Sequence, residues 1–337
     1  MIRPRVLVLC GGRSDEHDVS LASARSVLAA AGARLELTPL VIARDGRLLP
    51  AAASSKVLEN GDRENLRVQS GGLERLEPTA FDVVLPLLHG PFGEDGSVQG
   101  LLKIMGLPFV GSDVLGSAVG MDKGMMKAVF AAHGLPGVPH KIVTRRAWLE
   151  TPEQVLKELE ALPYPVFVKP ANLGSSVGVS RAESAETLRA ALGEAARFDR
   201  RILVEQGLVG ARELEVGVLG NDQPEASVVG EVGFSGTFYD YASKYTEGEA
   251  ALQIPADLPP EIAAQCRALA LGAFRAIDAA GLARVDFFLH EGQLYLNEIN
   301  TMPGFTTTSM YPKLWEASGV PYAELVARLV ELALEAR

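Results

Sequence analysis

Apolar positions in this chain come as short solid runs near the start and as alternating or helix-spaced patterns further on. Val6-Leu7-Val8-Leu9-Cys10 is continuous and ends in Gly11-Gly12, the pattern of a strand buried on both faces of a parallel sheet. A helix is expected from about Val19 to Ala31. Strand, glycine turn, helix predicts the opening unit of a Rossmann-like domain. Further strands are expected at Glu36–Ile42 and Phe81–Leu85. Between Arg44 and Glu77 the chain is polar, glycine-rich and weakly periodic, and reads as variable surface structure. Strand 81–85 runs into Leu88-His89-Gly90-Pro91-Phe92-Gly93-Glu94-Asp95-Gly96, a loop at a strand's carboxyl end, where open α/β sheets place ligands.

A second unit is expected from Met121, with a helix at Lys123–Ala132, a glycine- and proline-rich link, a strand at Lys141–Thr144, a helix at Pro152–Leu162 and a strand at Pro165–Lys169. A third starts at strand Ile202–Glu205 and carries a long strand, Leu214–Leu219, then helix Pro260–Ala280 and a closing helix, Tyr322–Glu335. Domain limits fall at 1–120, 121–203 and 204–337. The fold class is α/β with α+β character.

Within the third unit, two β-prone runs, Arg284–Leu289 and Gln293–Asn300, flank His290-Glu291-Gly292, a hairpin signal. A turn near Gly292 puts Asp286 roughly opposite Glu298, and the two-residue period of a strand puts Asn300 on the Glu298 side. Three oxygen donors converging there suit Mg²⁺, which takes carboxylates together with phosphate oxygens and water. A solvated hairpin face would show the same residues, so the metal reading leans on the rest of the chain.

Composition narrows the classes. A length of 337 residues predicts two or three domains, and 47% hydrophobic residues exclude a disordered chain. The net charge of −10 argues against a nucleic-acid groove. Cys10 and Cys266 lie far apart with no CxxC, so they read as buried small residues rather than zinc ligands or a disulfide. The run 6–10 is too short for a signal-peptide core and no stretch approaches a membrane span. A soluble, cytoplasmic protein without membrane or nucleic-acid partners is expected.

Four further segments carry chemistry. Lys169 ends a strand and is followed by Pro170-Ala171-Asn172-Leu173-Gly174-Ser175-Ser176-Val177-Gly178; backbone N–H groups of such a loop cradle phosphate while the lysine neutralises charge. No Walker A loop occurs. Gly174 to Gly178 also fits G-x-S-x-G, the nucleophile-elbow pattern of hydrolases. That chemistry needs a later Asp and His, and the one His after it is His290, at a hairpin turn. Glu205 and Glu213 follow or open β-prone runs and could accept hydrogen bonds from a nucleoside; linker acids look the same, so the pair counts only as part of the set. Residues 235–245 are aromatic between glycines, as in a loop that folds over a ligand and excludes water.

Taken in order, these segments resemble the ATP-grasp ligases, and within them the D-alanine–D-alanine ligases. The likeness rests on Gly11-Gly12-Arg13-Ser14-Asp15-Glu16-His17-Asp18-Val19-Ser20, on His89-Gly90 through Gly93-Glu94-Asp95-Gly96, and on Met121-Asp122-Lys123. It continues through the glycine-serine loop, Tyr239-Asp240-Tyr241 with Lys244-Tyr245, Arg284-Val285-Asp286, and Asn297-Glu298-Ile299-Asn300-Thr301-Met302-Pro303-Gly304. Residues 44–77 carry none of these motifs. The resemblance implies a Rossmann-like N-terminal domain followed by an ATP-grasp fold of two subdomains. It also implies ATP-dependent joining of two D-alanines through a D-alanyl phosphate, for peptidoglycan precursors, and a homodimer. Lys123, Lys169, Ser176, Glu205, Leu208, Glu213 and Lys244 would hold ATP. Asp286, Glu298 and Asn300 would hold two Mg²⁺ ions, with Mn²⁺ a substitute. Glu16 would bind the first D-alanine's ammonium in a triad with Ser175 and Tyr245, supported by His89. Lys244, Ser309 and Met310 would serve the second substrate, and Tyr239 would also bind substrate. Arg284 and the Gly304 N–H would face the oxyanion. D-Serine or D-lactate as second substrate, and other ATP-grasp ligations, are the alternatives.

Overall fold

The computed structural model describes residues 3–32, 34–60, 78–174, 178–234 and 250–335. Three sheets make its frame. The first is parallel, ordered β2–β1–β3, from β1 (Arg5–Gly11), β2 (Glu36–Ile42) and β3 (Val83–Leu87). Every residue of β1 after Arg5 is buried, as the solid apolar run predicts. Helix α1 (His17–Ala31) follows a turn that only glycine can make. Gly11 has φ +88°, and a β-carbon there would stand 2.3 Å from the Ile42 carbonyl oxygen. β3 lies two residues later than expected. Its Pro86 and Leu87 pair with β1, which carries the strand into the His89 loop.

The region read as variable surface holds a packed helix, α2 (Ala51–Asn60). Val57 and Leu58 are buried, and Ser54 Oγ accepts from Val41 N and donates to the Leu49 carbonyl. With three alanines and two serines in ten residues its apolar face is narrow, which is why periodicity was weak. Residues 61–77 lie outside the described residues.

After α3 (Ser97–Ile104), α4 (Val114–Met121) and α5 (Lys123–Ala132), a four-stranded sheet of order β4–β7–β5–β6 forms. Its strands are β4 (His140–Thr144), β5 (Val166–Pro170), β6 (Ser180–Ala182) and β7 (Arg201–Gln206), with helices α6 (Arg145–Glu150), α7 (Pro152–Leu159) and α8 (Ala185–Phe198). Leu188, Leu192 and Ala195 of α8 bury against Val166, Val168, Ile202 and Val204.

The third sheet is antiparallel, ordered β10–β9–β8–β11–β12, from β8 (Arg212–Gly220), β9 (Glu225–Phe234), β10 (Ala250–Gln253), β11 (Gly281–His290) and β12 (Gln293–Asn300). Helix α9 (Pro260–Ala276) buries Cys266, Ala270, Ala273 and Phe274 in one core with Leu214, Val216, Val285 and Phe287. On the opposite sheet face Glu213, Glu215, Arg284 and Asp286 of β8 and β11 are polar, while Val232 of β9 packs with Met310 and Leu314 of the helix that follows the hairpin. Helix α10 (Met310–Ala317) follows the hairpin, and α11 (Tyr322–Leu334) ends the fold. Sequence places α11 in the third unit, yet Leu325, Val326, Leu329 and Val330 join Val6, Val8 and Val27 in the core of the first sheet. Each such side chain contributes roughly 1.5–3 kcal/mol when fully buried, so first and third units are fastened together beside the cleft. Among the described residues no helix is long and apolar enough to cross a membrane.

Candidate active site

The hairpin sets one side of the cleft. Asp286 on β11 pairs with Glu298 on β12, and Arg284 with Asn300. This register depends on an irregularity after Asp286: Phe287 pairs with Leu296, which leaves Asn297 opposite nothing, a β-bulge. Without it, strict alternation would put Glu298 and Asn300 on the face of Leu294 and Leu296, both buried in the core. The bulge turns them to the polar face instead. Helix α5 secures it from behind, where Lys127 Nζ donates to the Asn297 carbonyl at 3.1 Å and Ile299 N contacts Met126 Sδ at 3.4 Å.

On that polar face Arg284 Nε and Nη2 donate to the two Asp286 oxygens, both at 2.7 Å, and Nε lies 2.9 Å from Glu215 Oε2 on β8. Burial opposes the arginine's charge, but Asp286 and Glu215 together hold its pKa well above the usual value. Asn300 Oδ1 accepts from Met302 N. Two carboxylates and an amide oxygen form a hard donor set that fits Mg²⁺. Among the described residues no three His, Cys, Asp or Glu side chains are placed to hold a metal. A cation at Asp286 and Glu298 would therefore take its other oxygens from phosphate and water, as Mg²⁺ usually does.

The opposite wall is built by β5, β7 and α5. Phe167 pairs with Glu205, so Lys169, two residues on, shares its face. Lys169 Nζ donates to Glu205 Oε2 at 2.8 Å and Lys127 Nζ lies 2.5 Å from Oε1. Burial alone would raise the Glu205 pKa, but the two lysines bring it down to about 2. For Lys169 burial lowers the pKa, and Glu205 more than reverses it. Asp122 caps α5 by accepting from Met125 N, and Lys123 N bonds the Ala171 carbonyl. The Lys123 ammonium then reaches the Leu173 carbonyl at 2.9 Å and Glu298 Oε2 at 3.7 Å. Leu208 is half-buried just past β7, and Glu213 lies on β8 opposite Phe288.

The first domain closes the third side. A β-carbon on Gly90 would stand 2.7 Å from Glu16 Oε2, and one on Gly174 3.1 Å from it. The carboxylate thus fits between the His89 loop and the start of the glycine-serine loop, where both glycines leave room. His89 Nδ1 bonds the Met302 carbonyl at 3.0 Å and Nε2 faces Ser23 Oγ at 3.3 Å. Burial lowers its pKa against the opposing pull of Glu16. Gly304 is packed against Ser309, whose Oγ would lie 3.2 Å from a β-carbon there, and Met310 is buried at the start of α10.

Structure therefore brings Glu16, His89, Lys123, Lys169, Glu205, Glu213, Arg284, Asp286, Glu298, Asn300, Gly304, Ser309 and Met310 around one cleft between the three sheets. Ser175, Ser176, Tyr239, Lys244 and Tyr245 lie outside the described residues. Sequence reading missed Lys127, Glu94 and Glu215. Lys127 is the helical i+4 neighbour of Lys123, a spacing visible in the sequence. Glu215 alternates with Leu214 and Val216 and could have been placed on the polar face by period alone. Both cysteines are buried, as expected.

An ATP-grasp ligase is the class that this fold and cleft define. Residues 5–112 match the family model described as D-ala D-ala ligase N-terminus, and residues 129–331 the one described as D-ala D-ala ligase C-terminus. The chain is 56% identical to the D-alanine–D-alanine ligase of Deinococcus radiodurans over the full length of both. It is 46% identical to that of Geobacillus thermodenitrificans, over 99% of this chain and 96% of the relative. Its structure is similar to that of the D-alanine-D-alanine ligase from Coxiella burnetii, with TM-score 0.83 and 34% identity over 99% of this chain and 94% of the other. It is similar also to the D-Ala:D-Ser ligase from Enterococcus faecalis, with TM-score 0.83 and 29% identity over 98% and 100%. The chain belongs to the D-alanine–D-alanine ligase family.

Proposed function

We propose that this chain joins two D-alanines into D-alanyl-D-alanine, converting ATP to ADP and phosphate, as a cytoplasmic homodimer in the synthesis of peptidoglycan precursors. The observation that carries the chemistry is the meeting of two oppositely charged walls at one cleft, bridged by Lys123 at 3.7 Å from Glu298. The reading of the substrates rests on the relatives' activity.

A carboxylate is a poor acyl donor. The first D-alanine's carboxylate oxygen attacks the γ-phosphorus, the bond to ADP breaks, and an acyl phosphate forms. Lys123 and Lys169 face the phosphates as positive charge on one wall. Glu205, Leu208 and Glu213 receive the nucleoside, with Ser176 over the phosphates. Asp286, Glu298 and Asn300 would hold Mg²⁺, or Mn²⁺ in its place, which when bound offsets charge on the phosphate oxygens. Glu16 takes the ammonium of the first D-alanine, in a triad with Ser175 and Tyr245, and His89 fixes the pocket from the first domain. Ser309, Met310, Tyr239 and Lys244 hold the second D-alanine. Its amine attacks the acyl carbon, the carbonyl oxygen becomes an oxyanion facing Arg284 and the Gly304 N–H, and phosphate leaves as the peptide bond forms.

The test is phosphate release from ATP and Mg²⁺ with D-alanine, D-serine and D-lactate, alone and paired with D-alanine, with product masses determined. D-Alanyl-D-alanine from D-alanine alone is the expected result. A mixed product favoured over it would move the chain to the D-serine or D-lactate type, whose likeness in fold the Enterococcus faecalis structure illustrates. No release with any of them overturns the reading.

A further inference from the structure

Glu215, Asp286 and Glu298 form one row across three neighbouring strands, since Asp286 pairs with Glu215 on one side and with Glu298 on the other. Arg284 is two residues from Asp286 and shares the face. Its Nε and Nη2 are both engaged by Asp286, through both carboxylate oxygens, and Nε is also 2.9 Å from Glu215. In the function proposed above, Asp286 binds a divalent cation while Arg284 faces the acyl oxygen. Those duties compete, because a guanidinium clasping both oxygens uses two of the carboxylate's roughly four lone-pair sites and sets a positive charge beside any cation brought to the other two. Once Asp286 turns to the cation, Arg284 needs another anchor or it follows the negative charge.

Glu215 has the position for that anchor. Leu214 and Val216 on either side of it are wholly buried in the α9 core, which fixes Glu215 on the cleft face with its side chain 13% exposed. Its other strand neighbour is Gly230, where a β-carbon would meet Leu314 and Met310 of α10; α10 thus backs the same face. No three carboxylates of the row are placed to hold one metal among the described residues, so Glu215 serves the arginine rather than the cation.

We propose that Glu215 is a positioning residue that keeps Arg284 aimed at the acyl oxygen when Asp286 engages the divalent cation. This rests on the roles of Arg284 and Asp286 above. It acts only through Arg284. It holds the guanidinium in one plane and frees Asp286 for the metal.

The test is Glu215→Gln, which keeps shape and removes charge, studied in the whole chain. Three quantities are measured: binding of ADP in a chelator by calorimetry, the Mg²⁺ concentration that half-saturates enhancement of that binding, and kcat at saturating substrates. ADP binding without metal should stay within about twofold. The half-saturating Mg²⁺ concentration should rise about fivefold, because Arg284 now stays on Asp286, and kcat should fall about 30-fold, less than the roughly 100- to 1,000-fold cost of removing one transition-state donor outright. If kcat and the Mg²⁺ requirement both stay within about threefold of the parent, the inference is overturned. It is overturned too if metal-free ADP binding falls as much as kcat, since the change then damages the scaffold. Should Glu215→Gln not fold, Glu215→Ser is measured in its place. Arg284→Lys separates the layers: an active Arg284→Lys enzyme sinks the oxyanion reading, whereas an inactive one beside a normal Glu215→Gln enzyme sinks only the role of Glu215.

Discussion

Two ionic clusters face each other across the cleft and are built in opposite ways. On the nucleotide wall one carboxylate, Glu205, is clasped by two ammonium groups, Lys127 and Lys169, and all three are held on β5, β7 and α5. On the reaction wall one guanidinium, Arg284, is shared by two carboxylates, with Glu298 beside them. The first cluster has surplus positive charge and the second surplus negative charge. Phosphate suits the first and a divalent cation the second, so the pair is complementary to a metal-bound triphosphate before any ligand arrives. Burial differs too. Lys127 and Glu205 have side chains 3% and 2% exposed, whereas Glu298 is 29% exposed. Lys127 and Glu205 are sealed into the fold, whereas Glu298 at the edge of the other wall is open to what must come and go.

The sharpest break in that comparison removes charge from the open wall. Glu298→Gln should lower kcat about a thousandfold, because the cation loses a carboxylate ligand and the phosphoryl group loses its counter-charge. Stability should hardly change, since Glu298 lies at the cleft edge, with Lys123 3.7 Å away. Coupled ADP release and a thermal melt measure both. A variant with near-normal turnover would remove the hairpin from the metal reading.

The sealed wall should answer in the reverse order, with stability failing first. Lys127→Met strands Glu205, ionised and buried, with one partner, and breaking such a pair typically costs about 3–5 kcal/mol. The same change frees the Asn297 carbonyl, so the bulge that orients Glu298 and Asn300 loses its lock. Lys169→Met should cost less, because the Lys169 side chain is 15% exposed and Glu205 keeps Lys127, and should act mainly on the KM for ATP. Denaturant unfolding and ATP kinetics on the two variants decide the matter. Equal stability losses would show that the cluster is one functional unit rather than a scaffold half and a ligand half.

Most strands and long helices were legible because their apolar periods are strong, and the hairpin was legible down to the pairing of Asp286 with Glu298. That pairing came out right for an incomplete reason. Counting symmetrically about Gly292 sets Asp286 against Glu298, but the turn actually pairs His290 with Gln293, from which a plain count reaches Asn297, and the bulge at Asn297 moves the partner to Glu298. A bulge depends on what packs behind the strand, here Met126 and Lys127 of α5, and a strand period cannot reveal that. The docking of α11 on the first sheet was hidden for the same kind of reason: an amphipathic helix shows that it has a partner but not which one. Lys127 and Glu215 were overlooked because a lone charge beside apolar residues looks like surface until its partners are known. Helix α2 was missed because alanine and serine bury without a marked pattern.

Glu94 gives the smallest effect and the finest probe, because it lies between the two walls. It is buried, and burial, followed by the nearness of Glu16, pushes its pKa up to about 8, with the Gly90 N–H and Lys123 pulling down and Glu298 pushing up. A carboxyl whose pKa is higher in the folded state than in the unfolded chain stabilises the fold fully below the unfolded value, and that contribution is lost as pH rises through about 8. Glu205 behaves oppositely: its contribution is present above the unfolded value and is lost as pH falls through about 2. Glu94→Gln keeps an oxygen for the Gly90 N–H, which Glu94 Oε1 accepts at 2.7 Å, and cannot ionise. Between pH 6 and pH 9 the parent should therefore lose more melting temperature than Glu94→Gln, by about 2 °C. The difference should shrink in a background of Glu16→Gln, because one of the charges that raises Glu94 is gone. Parallel pH profiles for parent and Glu94→Gln would mean that Glu94 is already ionised at pH 6, and the negative charge of the open wall would then extend into the first-substrate pocket.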